Sequence, residues 1–382
     1  MSATIDDLTT SRLGELLTDP ERRADAAIAL GRRGAREYSG PIAAVLPTLK
    51  GAEHAAFVVA LEMLGDPSVV PALLEHVDWA AHHALVRLTG RDPLVTDPDN
   101  LRQAWANIDL TAPARPEIRV GAVGATRADL TLRDGLGRFR VGFRQKAWPR
   151  WNRSLLIDGV PVYDVGSTCG TCETLIALTG WPAGEVASVS ARLRDRIADV
   201  TALDDDLVDA LRPMLVALPS GHYRLHLLDL DLELVHDPAA SWWQRRHDER
   251  QETDDEPFWP GTGHFQLRRR IPGPVPTYGV VMPSSERRDP DTVAVHRAAI
   301  EHGARPAALL WGWVDDRHVE MAYPERFLVS VVLDGHHKLV AYAEAGVPAR
   351  AVFVTRLEDN WGPPGERDRY LDEVISALPA LR

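Results

Sequence analysis

Residues 327–346 read FLVSVVLDGHHKLVAYAEAG and contain the sharpest change of pattern in the chain. The apolar run over 327–333 predicts a strand buried on both faces, since such a strand has few polar positions. Next comes the turn Asp334-Gly335-His336-His337-Lys338. The spacing beyond it predicts a helix over 339–345 that ends at Gly346.

The flanking segments extend this order in both directions. Upstream, 292–303 predicts a helix and 306–313 a strand; downstream, 349–354 predicts another strand. The alternation of strands and helices indicates a mixed α/β domain over 263–382.

The turn from Asp334 to Lys338 has the chemistry of an anion site. Backbone N–H groups and the dipole at a helix start attract phosphate, Gly335 permits close approach, and Lys338 adds positive charge. Asp334 is expected to cap the helix or to fix the tautomer of one histidine. The alternative is a well-capped helix with two histidines at an exposed end.

The helix, the Gly-Ala-Arg-Pro approach at 303–306 and the stretch 332–341 resemble the core of the ParB/sulfiredoxin-like superfamily. Its free-serine kinases carry an Asp-Gly-x-His-Arg turn, which Asp334, Gly335 and His337 match, with Lys338 in place of the arginine. The resemblance implies a nucleotide-dependent enzyme that transfers a phosphoryl group to a small molecule or peptide, using ATP or ADP with Mg²⁺. It implies catalytic roles for Asp334 and His337, and phosphate binding by Gly335, His336 and Lys338.

This sequence differs from the residues of the superfamily at three points, and these differences limit which of its activities are expected. His336 stands where sulfiredoxin has its cysteine, and the double arginine of the partition CTPases is absent. Lysine keeps the charge of arginine but loses its bidentate fork. The catalytic carboxylate of the kinase type lies outside the turn, and Glu286, Glu301 and Glu320 remain open as candidates.

The first third of the chain has the pattern of a helical array. Apolar residues recur at helical spacing, Asp-Pro pairs such as Asp66-Pro67 mark helix starts, and Leu64-Gly65 and Thr89-Gly90 mark helix ends. The stretch 64–74, LGDPSVVPALL, resembles HEAT-like repeats. Such arrays offer a surface to a protein partner or pack against the rest of the chain. His82 and His83 are expected to be ordinary surface or amphipathic residues.

The middle of the chain holds both cysteines, Cys169 and Cys172, in one CxxC motif. Three interpretations stay open: inert thiols, a redox pair activated at a helix start, or two ligands of a Zn²⁺ site. His222 and His226, at spacing i, i+4 on a predicted strand, are possible further ligands.

Two other segments of the middle are read as structural. Six basic residues and four aromatic residues interleave over 138–153; a strand with a solvated arginine face is favoured over a nucleic-acid site. The alternating leucines over 228–234 predict a half-buried strand with an acidic outer face. We place a domain boundary after the acidic run 248–256.

The whole chain is thus predicted to be a multidomain protein. An all-α HEAT-like domain over 1–112 precedes a mixed α/β (α+β) domain with the CxxC over 113–262 and the ParB/sulfiredoxin-like domain over 263–382. At about 150 residues per domain, 382 residues fit this count.

Composition excludes several classes. Hydrophobic residues make up 45% and charged residues 26%, as in globular proteins, and no apolar run reaches the ~20 residues of a membrane span. A net charge of −12 argues against nucleic-acid binding. Two cysteines and an acidic N-terminus without an apolar region fit the cytoplasm. The function hypotheses are therefore a nucleotide-dependent phosphotransferase, a regulatory scaffold, or a zinc- or dithiol-dependent enzyme.

Overall fold

The computed structural model describes residues 5–95, 98–113, 115–147, 150–157, 160–161, 182–237, 240–242, 263–282, 288–319, 323–360 and 365–379. The chain forms two compact units. The helical unit comprises Met1–Glu117, Arg133–Pro161 and Val216–Ser220, and the sheet unit comprises Ile118–Leu132, Val162–Leu215 and Gly221–Arg382. The protein is therefore a multidomain α+β protein.

Seven α-helices of the helical unit lie in the first 106 residues: α1 (Thr10–Leu16), α2 (Arg23–Arg32), α3 (Ser39–Val45), α4 (Gly51–Leu64), α5 (Val70–Glu75), α6 (Trp79–Thr89) and α7 (Leu101–Ala106). Helix α4 packs against α2 and α6, while α1, α3 and α5 pack on α2, α4 and α6. The helices thus stack in pairs around a core of alanine and leucine side chains.

The sheet unit contains nine strands of one mixed sheet: β1 (Glu117–Val123), β2 (Arg127–Arg133), β6 (Gly221–Leu230), β7 (Leu232–Val235), β8 (His264–Leu267), β9 (Thr277–Met282), β10 (Ala308–Val319), β11 (Tyr323–Asp334) and β12 (Ala349–Arg356). Their spatial order is β1-β2-β6-β12-β10-β11-β9-β8-β7. A separate three-stranded sheet consists of β3 (Phe139–Ala147), β4 (Arg150–Ile157) and β5 (Val160–Pro161).

Five further α-helices belong to the sheet unit: α8 (Ala183–Arg196), α9 (Asp205–Leu215), α10 (Pro290–Glu301), α11 (His336–Ala345) and α12 (Arg367–Ser376). Helices α10, α11 and α12 share an apolar core with the sheet. Pro213 lies inside α9, which continues for two residues beyond it.

The helix ends in the first third follow the predicted chemistry. Gly65 and Gly90 adopt left-handed conformations with φ of 64° and 65° after α4 and α6, which confirms both predicted ends. Asp78 accepts a hydrogen bond from the Ala81 N–H at 2.8 Å and caps α6.

Of the two expected roles, His82 has the amphipathic one, since it lies on the buried side of α6. Its side chain is buried, the indole of Trp105 donates to its Nδ1 at 3.0 Å, and its Nε2 lies 3.5 Å from Asp92 Oδ1. A polar side chain is tolerated there because its neighbours satisfy it. Asp92 is joined to Ser220 through the Ser220 Oγ, which donates to the Asp92 carbonyl at 2.7 Å.

The prediction of an acidic outer face over 228–234 is wrong at Asp229. Strand β6 is buried on both faces, lies between β2 and β12 in the sheet, and ends at Leu230 before β7 begins. Asp229 is buried and accepts both arms of Arg350 at 2.7 and 3.0 Å across the β6–β12 pair. Periodicity alone cannot show a cation on a neighbouring strand.

The large sheet crosses the boundary predicted after residue 262. Strand β7 lies before it, β8 lies after it, and the two pair antiparallel, with Leu232 opposite Leu267. Likewise, β6 pairs with β12. The physical reason is that edge and central strands come from distant parts of the sequence, which composition does not reveal.

Within the residues described, no helix combines the length and apolar character that a membrane crossing requires. Of the basic and aromatic stretch 138–153, the side chains described include Phe139, which is fully buried, and Arg140, which is buried against Glu62 at 2.7 Å. These two residues have structural roles in the helical unit.

Candidate functional site

The predicted turn lies where β11 ends and α11 begins. Asp334 is the last residue of β11, Gly335 follows with φ of 95°, and α11 begins at His336. The helix therefore starts three residues earlier than the sequence pattern predicts. Because the N-cap residue is glycine, it has no side chain to satisfy the first amide groups of the helix.

Gly335 is required by the packing of the protein itself. A Cβ at this position would lie 3.1 Å from Ala308 Cα and 3.1 Å from Lys338 Cδ, and the positive φ is strained for any other residue. The predicted close approach is thus made by the start of β10 and the lysine stem.

Lys338 is buried and is already engaged within the sheet unit. Its Nζ donates to the Ala307 carbonyl at 2.9 Å and to Asp334 Oδ2 at 3.2 Å. The ammonium group therefore balances the charge of Asp334 and ties the start of β10 to the end of β11. In this position it is not directed at a ligand.

Asp334 remains partly open to solvent, with 21% of its side chain exposed. It does not cap α11; its Oδ2 accepts from Lys338. Among the residues described here, its Oδ1 has no hydrogen-bond partner. A carboxylate with one oxygen held by a buried cation and the other accessible has the arrangement of a proton acceptor.

The two histidines of the turn differ in their surroundings. His336 is buried, whereas His337 is half-buried, and their ring centroids are 4.0 Å apart. Burial lowers the pKa of His337, against the opposing charges of Asp289 and Asp334. The Asp289 backbone N–H donates to His337 Nε2 at 2.9 Å, which assigns the ring proton to Nδ1. The expected role of Asp334 in fixing a tautomer is thus taken by Asp289.

Helix α10 contributes two residues that the sequence pattern did not bring into the site. Asp289 caps α10 by accepting from Thr292 N at 3.3 Å. His296 lies about two turns further on in α10, and burial together with Lys338 and His337 lowers its pKa. Asp289 precedes Pro290, the helix-start signal read elsewhere in the chain, so this cap was visible in the sequence.

Of the three carboxylates proposed from the resemblance, Glu301 is among the described residues. Glu301 is exposed at the end of α10, 3.8 Å from Arg297. Glu286 and Glu320 lie outside the described residues. Of the carboxylate residues described here, Asp334 belongs to the turn itself, and Asp289 contacts the turn through its backbone N–H.

The CxxC cysteines, Cys169 and Cys172, also lie outside the described residues. His222 and His226 are described, and each has another environment. The Nδ1 of His222 is 2.9 Å from Glu358 Oε1, while His226 is buried with a pKa lowered to about 4 by burial and by the charges of Arg224 and Arg127. Over the described part of the chain, no group of three or more His, Cys, Asp or Glu side chains could hold a metal ion.

A second polar cluster surrounds His222, near the start of β6. The side chain of Glu358 is 7% exposed; burial alone would raise its pKa, but the His222 hydrogen bond and the charge of Arg356 lower it. Gly221 makes room for this pair, since a Cβ there would lie 2.9 Å from Glu358 Oε2. The His222 side chain is 44% exposed.

Comparison with known proteins yields no relative. No family model matches the chain, no curated protein matches it, and no solved structure matches it. The ParB/sulfiredoxin-like and HEAT-like resemblances therefore rest on the residues quoted for them.

Proposed function

We propose that the sheet unit is a nucleotide-dependent phosphotransferase that acts at the turn from Asp334 to Lys338. The observation that carries the proposal is Asp334: a partly exposed carboxylate, charge-balanced by buried Lys338, beside a helix start whose N-cap is glycine. Amide groups at a helix start bind phosphate, and a neighbouring carboxylate orients the attacking hydroxyl.

In this proposal the phosphates contact the first amide groups of α11 and the Nδ1–H of His337. His337 is neutral near pH 7, since burial lowers its pKa, and so it donates without adding a charge. The oxygen of the acceptor hydroxyl forms a bond to the terminal phosphorus of the nucleotide, and Asp334 accepts the hydroxyl proton. The bond from that phosphorus to the bridging oxygen breaks, and the nucleotide leaves with one phosphate fewer. Lys338 and His336, both buried, position these groups instead of touching phosphate as the resemblance implies.

The cofactor that fits this site is ATP or ADP with Mg²⁺. The described residues offer no multi-ligand metal cage, and Mg²⁺ in nucleotide enzymes is held largely by phosphates and water with one or two carboxylates. Asp334 is the carboxylate in place to contribute. The acceptor is a small molecule or peptide that carries a hydroxyl group.

Calorimetric titration tests the proposal directly. The protein is titrated with ATP, ADP, CTP and GTP, with and without Mg²⁺, beside the variants Asp334→Asn and His337→Ala. His302→Ala is the matched control, since His302 is an exposed histidine at the end of α10. We expect binding of at least one nucleotide that His337→Ala weakens by about tenfold or more.

Two outcomes would refute the proposal. One is the absence of binding by every nucleotide, and the other is binding that both variants retain in full. Either result would favour the scaffold hypothesis, in which the helical unit binds a partner. Circular dichroism of each variant shows whether its fold is intact.

A further inference from the structure

A buried row of polar contacts runs through His82 in the helical unit. The indole Nε1 of Trp105, on α7, donates to His82 Nδ1 at 3.0 Å, and His82 Nε2 lies 3.5 Å from Asp92 Oδ1. Each of the three residues is at most 3% exposed. These contacts join α7 to α6 and to the segment that follows α6.

The contact with Trp105 fixes the protonation state of His82. An indole nitrogen is only a donor, so His82 Nδ1 must carry a lone pair, and the single proton of the neutral ring lies on Nε2. Nε2 is the ring nitrogen that faces Asp92. The structure therefore contains the neutral state of His82, with its proton on the side of the carboxylate.

Asp92 is anchored by groups other than His82. The Ser220 backbone N–H donates to Asp92 Oδ2, and the Ser220 hydroxyl donates to the Asp92 backbone carbonyl at 2.7 Å. The Gly135 N–H in turn donates to Ser220 Oγ at 3.0 Å. A carboxylate that is held in this way stays beside His82 Nε2 when the charge of the ring changes.

Helix α7 depends on Trp105 for its place in the core. It has six residues, too few for a helix that is stable by itself, and its buried side chains are those of Leu101 and Trp105. The Trp105 ring lies at 67° to that of His82, with the centroids 5.8 Å apart. Helix α7 is followed by β1, where the chain enters the sheet unit at Ile118. A change at His82 therefore acts on the segment that leads into the sheet unit.

We propose that His82 is a pH-sensitive switch, which holds α7 in the core when it is neutral and releases α7 when it is protonated. Protonation at Nδ1 replaces the lone pair by an N–H group, so Trp105 loses its acceptor. The positive ring gains an ion pair with Asp92 at Nε2, and this pair stabilises the protonated state inside the core. Imidazole changes its charge between about pH 5 and 8, and the transition is expected in this range.

Two further titratable groups lie near His82 on its own helix. The ring centroid of His83 is 5.2 Å from that of His82, so a proton on His83 opposes one on His82. Asp78, one turn earlier, faces His54 at 3.0 Å. Asp92 is the carboxylate that faces the ring edge at Nε2, and its charge favours protonation of His82.

The indole N–H signal of Trp105 in the full chain, labelled with ¹⁵N-tryptophan, tests the proposal by NMR. The signal is assigned with Trp105→Phe and followed from pH 8 to pH 5. We expect it to shift in a single transition as the hydrogen bond to His82 is lost. Trp242 is the internal control, because its indole donates at 3.1 Å to the Leu267 carbonyl, an acceptor that does not titrate.

Three variants distinguish the switch from a general effect of acid. Asp92→Asn keeps an acceptor for the Ser220 N–H but removes the charge, so the transition should move to lower pH by about one unit or more. His82→Gln should abolish the transition. His83→Gln is the matched control on the same helix, and the transition should persist in it. Circular dichroism at pH 8 shows whether each variant is folded.

Release of α7 is measured by hydrogen exchange of the amides of residues 101–106. Relative to the intrinsic rate, we expect exchange to be about tenfold or more faster below the transition than above it. A Trp105 signal that is constant from pH 8 to pH 5 would overturn the proposal, as would a transition that Asp92→Asn leaves in place. An equal change in the Trp242 signal would assign the transition to unfolding of the whole chain. Unchanged exchange in α7 would refute its release.

Discussion

Lys338, which the sequence predicts to bind an anion, and the three arginines that line a cavity of the helical unit, for which it makes no such prediction, have different surroundings. In the sheet unit, Lys338 is buried and its charge is met by Asp334 and the Ala307 carbonyl. In the helical unit, Arg36, Arg87 and Arg138 line an open cavity of about 320 Å³. The difference is one of position: Lys338 lies inside the sheet unit, whereas the three arginines line space beside the helix ends.

The buried ion pair Asp229–Arg350 should contribute more to stability than exposed pairs do. We therefore expect Asp229→Asn to lower the free energy of unfolding by the largest amount. Asp229 and Arg350 are 5% and 3% exposed, and the substitution leaves the arginine buried without its counter-charge. We expect a loss of about 3–5 kcal/mol in the free energy of unfolding, measured by urea titration. The exposed pair Arg212–Asp209 is the control, and Asp209→Asn should cost less than about 1 kcal/mol. Equal losses in the two variants would contradict the expectation that the buried pair contributes more to stability than the exposed pair.

Acid should destabilise the sheet unit through its buried histidines. Burial lowers the pKa values of His226 and His264 to about 4, so the folded state binds their protons less readily than the unfolded state does. Stability therefore falls as the pH drops from about 6.5 towards 4, by about 3 kcal/mol for each histidine in full. His226→Leu should remove the part of this pH dependence that His226 contributes.

The His226→Leu variant is compared with His302→Ala in urea titrations at pH 7 and pH 5. Among the described residues, the buried Nδ1 of His226 has no hydrogen-bond partner. Replacing this histidine should therefore lower the free energy of unfolding at pH 7 only slightly. If the variant and the unaltered protein show the same pH dependence of stability, the lowered pKa of His226 does not contribute to the loss of stability in acid.

Lys338→Met tests whether the turn is closed by its own ion pair. Asp334 then loses its counter-charge, but solvent reaches 21% of its side chain, so we expect a moderate loss of about 1–2 kcal/mol. The double variant Lys338→Met, Asp334→Asn should recover part of that loss. Additive losses in this double-mutant cycle would show that the two side chains are not coupled.

Arg36→Gln should have the smallest effect on stability, about 0.5–1 kcal/mol, because it removes one hydrogen bond at an exposed helix end. Thermal unfolding followed by circular dichroism measures this loss. A loss as large as that of Asp229→Asn would show that Arg36 contributes to stability as a buried, paired charge does. The difference between Arg36 and the buried pairs would then not hold.

Local signals in the sequence were sufficient for many elements. Gly65 and Gly90 end helices where predicted, because a residue without a Cβ adopts the left-handed conformation at low cost. The apolar run before Asp334 forms the buried strand β11, and the helix after it ends at Gly346. These features depend on neighbours a few residues away, which the sequence contains in full.

The partners of buried polar groups depend on residues far apart in the chain. Asp229 meets Arg350 across 121 positions, and Glu358 meets His222 across 136. Neither pairing has a periodic signal, because each follows from the order of strands in the sheet and from loops that return to it. The sequence therefore specified the helix and strand segments around the turn, whereas the packing of distant segments assigned Lys338 to an internal ion pair and opened a cavity beside Arg138.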